Sequence, residues 1–218
     1  MLSFHSYSYY DLTADGTRGP VDWKVGYLRN IMRTYGVPQK PLINTETALL
    51  CIIATPECRE AQADAIGRYY ARAINDELAG QMWYIYDNDS FFNTALVEPS
   101  NVAVPRPAFH AYQAAATLLE NTRALGPLAG QPAGVEGYRF SRGRQMITIV
   151  WSNTEQSVAL SVDPGASVEC FDRDGQPLVC QNINGAVSLT VQSHPIYVIQ
   201  ETLSRFVAYC PFIMLKEQ

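Results

Sequence analysis

The stretch Pro41-Leu42-Ile43-Asn44-Thr45-Glu46-Thr47-Ala48 indicates the fold of the first half of the chain. It reads as a short, largely apolar β-strand that carries one carboxylate, Glu46, near its end. An isolated charge on a buried strand is costly, so Glu46 must be paired or hydrogen-bonded. Its neighbours therefore decide whether it is a structural or a functional residue.

Strands and helices alternate on both sides of this stretch. Residues 2–10 and 81–86 read as two further strands. Helical spacing of apolar residues predicts one helix ending at Gly36, a second ending at Gly80 and a third beginning at Pro107. The apolar positions that predict the first two helices are Val25, Leu28, Met32 and Tyr35, then Ile66, Tyr69, Tyr70, Ala73 and Ile74. Residues 1–120 thus read β-α-β-α-β-α, which is typical of an α/β fold with a parallel sheet.

The second half of the chain has a different pattern. Residues 126–137 contain four Gly and two Pro and read as a linker. Beyond them, short alternating runs at 146–151, 158–162, 168–171, 187–191 and 195–199 predict a small all-β sandwich. We therefore predict an α/β domain at 1–125, a linker at 126–134, a β-sandwich at 135–200 and a tail at 201–218.

Composition excludes several classes of protein. The 218 residues are 47% hydrophobic and 17% charged, with a net charge of −5, so the chain is neither disordered nor a coiled coil. It has no basic patch for nucleic acid. The apolar run at 206–215 is too short to span a membrane. The N-terminus lacks the pattern of a signal peptide, so the sequence leaves the localisation open.

The cysteines and histidines do not predict a metal site. There are five Cys and three His, and none of the Cys forms a Cys-x-x-Cys pair, so we expect no metal and no cofactor. Cys51 and Cys58 bracket a short loop, and Cys170 and Cys180 flank a turn. Each pair is either a disulfide or two buried free thiols.

Polar and aromatic side chains collect where the three predicted parallel strands end. In α/β folds the carboxyl ends of such strands share one edge, which holds the active site. His5 and Tyr7 come from the first strand, Asn44 and Glu46 from the second, and Trp83 and Tyr84 from the third. Each also has a structural interpretation: a carboxylate tied to a loop, a histidine satisfied by backbone, a tryptophan packed in the core.

Three motifs resemble a known family. Phe4-His5-Ser6-Tyr7, Lys40-Pro41-Leu42-Ile43-Asn44-Thr45-Glu46-Thr47 and Gly80-Gln81-Met82-Trp83-Tyr84 resemble strands six, seven and eight of the retaining (β/α)8 glycoside hydrolases of clan A. Pro195-Ile196-Tyr197-Val198-Ile199 resembles the end of the β-sandwich appended to many of those barrels. The resemblance covers about residues 1–200.

The resemblance implies a role for each matching residue. Glu46 matches the catalytic nucleophile, which forms a covalent glycosyl-enzyme intermediate. His5 and Tyr7 match residues that line the sugar site, and Trp83 matches an aromatic platform under the sugar. Asn44 and Tyr84 are further candidates for substrate binding. The implied partner is a carbohydrate substrate.

A second carboxyl group is missing from this pattern. Retaining hydrolysis uses two carboxyls about 5–5.5 Å apart, and in the clan the acid/base glutamate follows an Asn on strand four. The sequence has no Asn-Glu dipeptide, and a complete barrel needs about 250 residues. We therefore expect an incomplete catalytic chain, with an N-terminal extension or a partner chain supplying five strands. Asp87 and Asp89 are the alternative sources of the second carboxyl.

Two other functions remain open. The chain could be a non-catalytic carbohydrate-binding or scaffolding protein derived from such an enzyme. It could also be an α/β hydrolase with a serine nucleophile, although it contains no Gly-x-Ser-x-Gly motif.

Overall fold

The computed structural model describes residues 1–10 and 20–201. The first elements along the chain are β1 (Leu2–Tyr9), α1 (Pro20–Thr34), β2 (Leu42–Leu50), α2 (Pro56–Asn75), β3 (Gly80–Trp83), β4 (Val97–Glu98), β5 (Asn101–Pro105) and α3 (Pro107–Leu118). They are followed by β6 (Arg123–Pro127), β7 (Val135–Arg142), β8 (Gln145–Ser152), β9 (Gln156–Ser161), β10 (Val168–Phe171), β11 (Pro177–Leu178), β12 (Ala186–Val191) and β13 (Ile196–Glu201). The fold is mixed α/β, with few helices and several sheets.

A parallel sheet of three strands, in the order β1-β2-β3, positions the candidate site. Helix α1 packs on it through Val21, Val25 and Met32, which form a core cluster with Leu42 of β2. The sequence pattern predicts that Tyr35 lies on the apolar face of this helix, and that prediction is wrong. Tyr35 follows the end of α1, and its side chain is exposed. No buried contact therefore holds that ring.

Helix α2 follows β2 directly and has a well-formed start. Thr55 caps it, its hydroxyl accepting a hydrogen bond from the backbone nitrogen of Cys58 at 3.2 Å. Pro56 stands at the first helical position, where no backbone donor is needed. The helix ends at Asn75 rather than at Gly80, because Gly80 already begins β3.

The β-rich half has two layers. Strands pair in the order β11-β10-β13-β8-β7-β6 in one antiparallel sheet, and β9 pairs with β12 in a second. Apolar side chains from both layers form one core cluster, among them Val150, Val158, Leu160, Val187 and Val198. Strand β6 runs from 123 to 127, so pairing within the sheet begins before the segment that we predict to be a linker.

Helices α2 and α3 pack against one face of the six-stranded sheet. Ala71 of α2 and Ala114 and Leu118 of α3 share a core cluster with Phe140, Ile147, Ile149, Trp151 and Tyr197 of the sheet. The guanidinium groups of Arg68 and Arg72 lie 5.8 and 5.6 Å from the centre of the Trp151 ring. The two halves of the chain therefore share one hydrophobic core.

Both pairs of neighbouring cysteines form disulfides. Cys51 is bonded to Cys58, and Cys170 is bonded to Cys180, with 6.1 Å between the Cα atoms of each pair. The structure thus decides between the two alternatives that the sequence left open.

Across residues 1–10 and 20–201, none of the helices is both long enough and apolar enough to cross a membrane.

Candidate functional site

A β-bulge places Glu46 beside His5. Phe4 of β1 pairs with Asn44 of β2, but the next residue, His5, pairs with Glu46, so that Thr45 is an extra residue in β2. A bulge of this kind re-aims the side chains that follow it. Here it brings a carboxylate and an imidazole together in the middle of the strand pair, because β2 continues to Leu50 and Glu46 is not at its end. The pair is level with the carboxyl end of β3, where Trp83 pairs with Thr47.

Two side chains contact the same carboxylate oxygen of Glu46. The phenol of Tyr7 donates a hydrogen bond to Oε2, and Nδ1 of His5 lies 3.2 Å from that atom. The side chain of Glu46 is 31% exposed and that of His5 is 54% exposed. A ligand can therefore reach both groups, which a carboxylate tied into a core would not permit.

Tyr7 is fixed as a hydrogen-bond donor. Burial raises the pKa of its phenol, and the hydrogen bond to Glu46 and the negative charge of that residue raise the pKa further. The phenol therefore keeps its proton throughout the neutral range, and Glu46 accepts from it.

Asn44 lies beneath Glu46 and is fully buried. With its amide nitrogen turned toward two backbone oxygens, it donates to the carbonyls of Phe4 at 3.1 Å and Glu46 at 2.8 Å. Its other amide atom lies 3.1 Å from the side-chain amide of Gln81 on β3. These contacts hold the bulge, and the role of Asn44 in substrate binding stays a prediction.

Trp83 is the last residue of β3, and Tyr84 follows it. The indole of Trp83 is 9% exposed, and its N–H donates to the backbone oxygen of Thr94 at 2.9 Å. Only a small part of this ring can meet a ligand, and its role as a sugar platform stays a prediction. Tyr84 is more exposed, and its backbone nitrogen donates to the oxygen of Thr47 at 2.9 Å.

Two phenylalanines that the sequence did not indicate, Phe91 and Phe92, pack beside the tyrosines of the candidate site. The ring of Phe91 lies 5.1 Å from that of Tyr7, 5.2 Å from that of Tyr84 and 5.2 Å from that of Phe92. The signal that could have revealed them is the pair of adjacent aromatic residues in an otherwise polar segment after β3.

Asp89 is held in an ionic network. Arg106 is buried, and its guanidinium makes hydrogen bonds of 2.7 and 2.6 Å to the two oxygens of Asp89 and also contacts Glu98. The hydrogen bonds from Arg106 lower the pKa of Asp89, although burial acts in the opposite direction. An ionised, paired carboxylate is unsuited to donate a proton, so the structure does not favour Asp89 as the second catalytic carboxyl. Asp87 is exposed.

In the described part of the chain, no group of three or more His, Cys, Asp or Glu side chains is placed to hold a metal ion.

Sequence comparisons find no relative: no family model matches the chain, and no curated protein matches it. Solved structures do match its fold. A family 39 glycoside hydrolase from Bacteroides cellulosilyticus WH2 matches with a TM-score of 0.64 and 18% identity, over 81% of this chain and 38% of that one. A family 30 subfamily 8 xylanase from Clostridium acetobutylicum matches with a TM-score of 0.60 and 8% identity, over 79% and 45%. A monomeric β-xylosidase from Caulobacter crescentus CB15 matches with a TM-score of 0.58 and 14% identity, over 93% and 56%.

These similarities support a glycoside hydrolase-like fold. The chain spans between 38% and 56% of the length of the three structures.

Proposed function

We propose that this chain is the C-terminal part of a retaining glycoside hydrolase, with Glu46 as the nucleophile. In this proposal β1, β2 and β3 with their helices are the last three βα units of an eight-stranded barrel, and the β-rich half is the appended sandwich. The observation that carries the proposal is the position of Glu46: a solvent-accessible carboxylate in the middle of the central parallel strand, level with the carboxyl end of β3, with Tyr7 and His5 at one of its oxygens.

The proposed chemistry has two steps. A carboxylate oxygen of Glu46 attacks the anomeric carbon, the bond to the leaving oxygen breaks, and a glycosyl ester forms. Water then attacks the anomeric carbon of that ester, which releases the sugar and restores the carboxylate. Tyr7 and His5 hold the carboxylate in one orientation, which limits the reorganisation needed for attack.

The second carboxyl group comes, in this proposal, from residues outside these 218. An N-terminal extension or a partner chain would supply it together with the other five strands. The fold similarity to a xylanase and a β-xylosidase supports a carbohydrate with O-glycosidic bonds as the substrate.

A glycoside with an activated leaving group tests the nucleophile without the acid. Dinitrophenolate leaves without protonation, so 2,4-dinitrophenyl 2-deoxy-2-fluoroglycosides should glycosylate Glu46 even when no acid is present. We expect one fluorosugar per chain by intact mass, with peptide mapping to Glu46. Glycosides with unactivated leaving groups should show no turnover, because their oxygen must be protonated.

Two variants with the same change of charge separate specific from general labelling. Glu46→Gln should abolish labelling, whereas Glu77→Gln, at an exposed position after α2, should be labelled like the wild type. Labelling of Glu46→Gln at the wild-type rate, or mapping of the sugar to another carboxylate, would contradict the proposal. Sugar binding without any labelling would favour the non-catalytic alternative.

A further inference from the structure

Exposed apolar side chains stand at or after the carboxyl ends of the three parallel strands. Ile52 and Ile53, which follow β2, are 71% and 73% exposed, Tyr9 at the end of β1 is 55% exposed, and Phe92 after β3 is 39% exposed. We call these four residues the apolar rim. A group of large exposed apolar side chains is typical of a binding surface, whereas single exposed apolar residues are common on any protein.

The apolar rim is continuous with the surroundings of Glu46. Tyr7, whose hydroxyl contacts Glu46, packs on Phe91, which packs on Phe92, whose ring in turn lies 5.9 Å from that of Tyr9. The two isoleucines come directly after Cys51, whose backbone nitrogen donates to the oxygen of Phe92 at 2.9 Å, so the backbones of the two segments lie side by side.

The backbone that carries the apolar rim is held from several sides. The Cys51–Cys58 disulfide closes the loop that contains both isoleucines. Asn93 donates to the oxygen of Cys51 at 2.8 Å, and Gln62 of α2 donates to the oxygens of Leu49 at 2.9 Å and Asn93 at 3.0 Å. The isoleucines are thus exposed on a constrained loop, and a ligand would not have to order that loop when it binds.

We propose that the apolar rim binds an apolar aglycone, an alkyl or aryl group attached to the sugar that Glu46 attacks. The inference rests on the proposed function and adds the substrate class. A further sugar unit would need several hydrogen-bonding groups for its hydroxyls, whereas the rim offers one hydroxyl, that of Tyr9, and its two most exposed side chains, Ile52 and Ile53, offer neither such groups nor an aromatic face. Burial of an alkyl chain against them removes apolar surface from water on both sides.

Calorimetric titration of the 218-residue chain with octyl and methyl glycosides of one sugar tests the proposal. Octyl glycoside, used below its micelle concentration, should bind at least about tenfold more tightly. The double variant Ile52→Ser, Ile53→Ser should lose most of this preference. Val179→Ser should keep it, since Val179 is a 97% exposed apolar residue beside the other disulfide, on the β-rich half.

Failure of the octyl glycoside to bind more tightly than the methyl glycoside, including no binding of either, would overturn the proposal. So would an unchanged preference in the double variant. A dimer in sedimentation that the double variant dissociates would instead assign the apolar rim to contacts between copies of the chain. An octyl preference that persists in a chain whose Glu46 resists fluorosugar labelling would support the apolar rim and overturn only the catalytic role.

Discussion

Glu46 differs from the other carboxylates that the structure pairs. Asp89 and Glu136 each contact a buried arginine, Arg106 or Arg72, and the pKa of each carboxyl lies below its ordinary value. Such groups are locked as anions in ion pairs that stabilise local geometry. Glu46 instead accepts from an uncharged phenol and lies beside an imidazole, and among the described residues no guanidinium pairs with it that would have to be displaced before its oxygen reacts.

The phenol of Tyr7 reports on this arrangement. Its pKa is raised by burial and by the hydrogen bond and charge of Glu46. Glu46→Gln removes the charge but not the burial, so the pKa of Tyr7 should fall and still exceed the ordinary value. Carbon-13 NMR of labelled tyrosine should then show a larger ionised fraction of Tyr7 at a given alkaline pH.

Tyr197 is the internal control for this titration. Burial, and to a lesser extent the charge of Asp174, raises the pKa of its phenol. Its ionised fraction should be the same in Glu46→Gln and in the wild type. An unchanged titration of Tyr7 in that variant would show that the two side chains are not coupled.

At the scale of elements, the contact between α2 and the six-stranded sheet depends on a glycine. A Cβ atom on Gly67 would lie 2.7 Å from the hydroxyl oxygen of Tyr197 and 3.4 Å from Cδ1 of Ile149. Alanine is favoured over glycine by about 1 kcal/mol in a helix interior, but overpacking costs about 1–3 kcal/mol. Gly67→Ala should therefore lower the free energy of unfolding, as measured by urea denaturation.

Two further variants separate overpacking from other causes. The hydroxyl of Tyr197 is buried and has no hydrogen-bond partner among the described residues, so Tyr197→Phe alone should cost little and should partly rescue Gly67→Ala. Gly26→Ala in α1, where nothing lies within 4 Å of the added Cβ, should raise stability by up to about 1 kcal/mol. Equal losses at Gly67 and Gly26 would contradict the steric explanation.

At the scale of the whole molecule, a charged cluster joins α2 to the β-rich half. Asp64 of α2 lies 2.6 Å from Nδ1 of His194 and 2.9 Å from Arg173, and Arg173 also contacts Glu60 and Asp174. Burial alone would raise the pKa of Asp64, but the contacts with His194 and Arg173 outweigh it and leave that pKa below its ordinary value. The hydrogen bond with Asp64 raises the pKa of His194.

This cluster makes stability depend on pH. Because the pKa of His194 is raised on folding, its contribution is fully present below its ordinary pKa of about 6.5 and is lost as the pH rises through the folded value. Asp64 stays ionised throughout that range because its pKa lies below the ordinary value. Its own contribution to stability is therefore lost only in acid. Urea denaturation should show that His194→Asn is more destabilising at about pH 5.5 than at about pH 9.

The exposed His110 on α3 gives the matched control. His110→Asn should show no comparable dependence on pH, because that imidazole lacks the contact with Asp64. A destabilisation by His194→Asn that is equal at both pH values would mean that His194 acts through packing and not through its charge.

Much of the first half of the fold could be predicted from the sequence, since apolar periodicity is a local signal. The strand around Glu46 and the buried face of α1 at Val25 and Met32 follow directly from it. The ends of strands were predicted less accurately: β3 ends at Trp83, not at 86. The β4–β5 hairpin was not predicted.

The features that could not be predicted depend on contacts between residues distant in sequence. Nothing near Arg106 indicates that its charge is buried, since Asp89 and Glu98 reach it only after the chain folds. Gly137 belongs to the Gly- and Pro-rich segment 126–137, although the predicted linker ends at 134; it lies inside β7, where a Cβ would come within 2.6 Å of the backbone oxygen of Ile149. Glycine serves close packing there, and composition alone does not distinguish the two uses.

The core shared by α2, α3 and the six-stranded sheet has a consequence for recombination. A chimera that grafts this sheet onto the helices of another protein would separate Ala71 and Ala114 from Phe140 and Tyr197 and remove the partner against which each surface packs. We therefore expect recombination between related genes to transfer the segment with α2 and α3 and the segment with the six-stranded sheet together. A crossover inside residues 126–134 would cut the chain where it is rich in glycine, but it would divide a single packed unit.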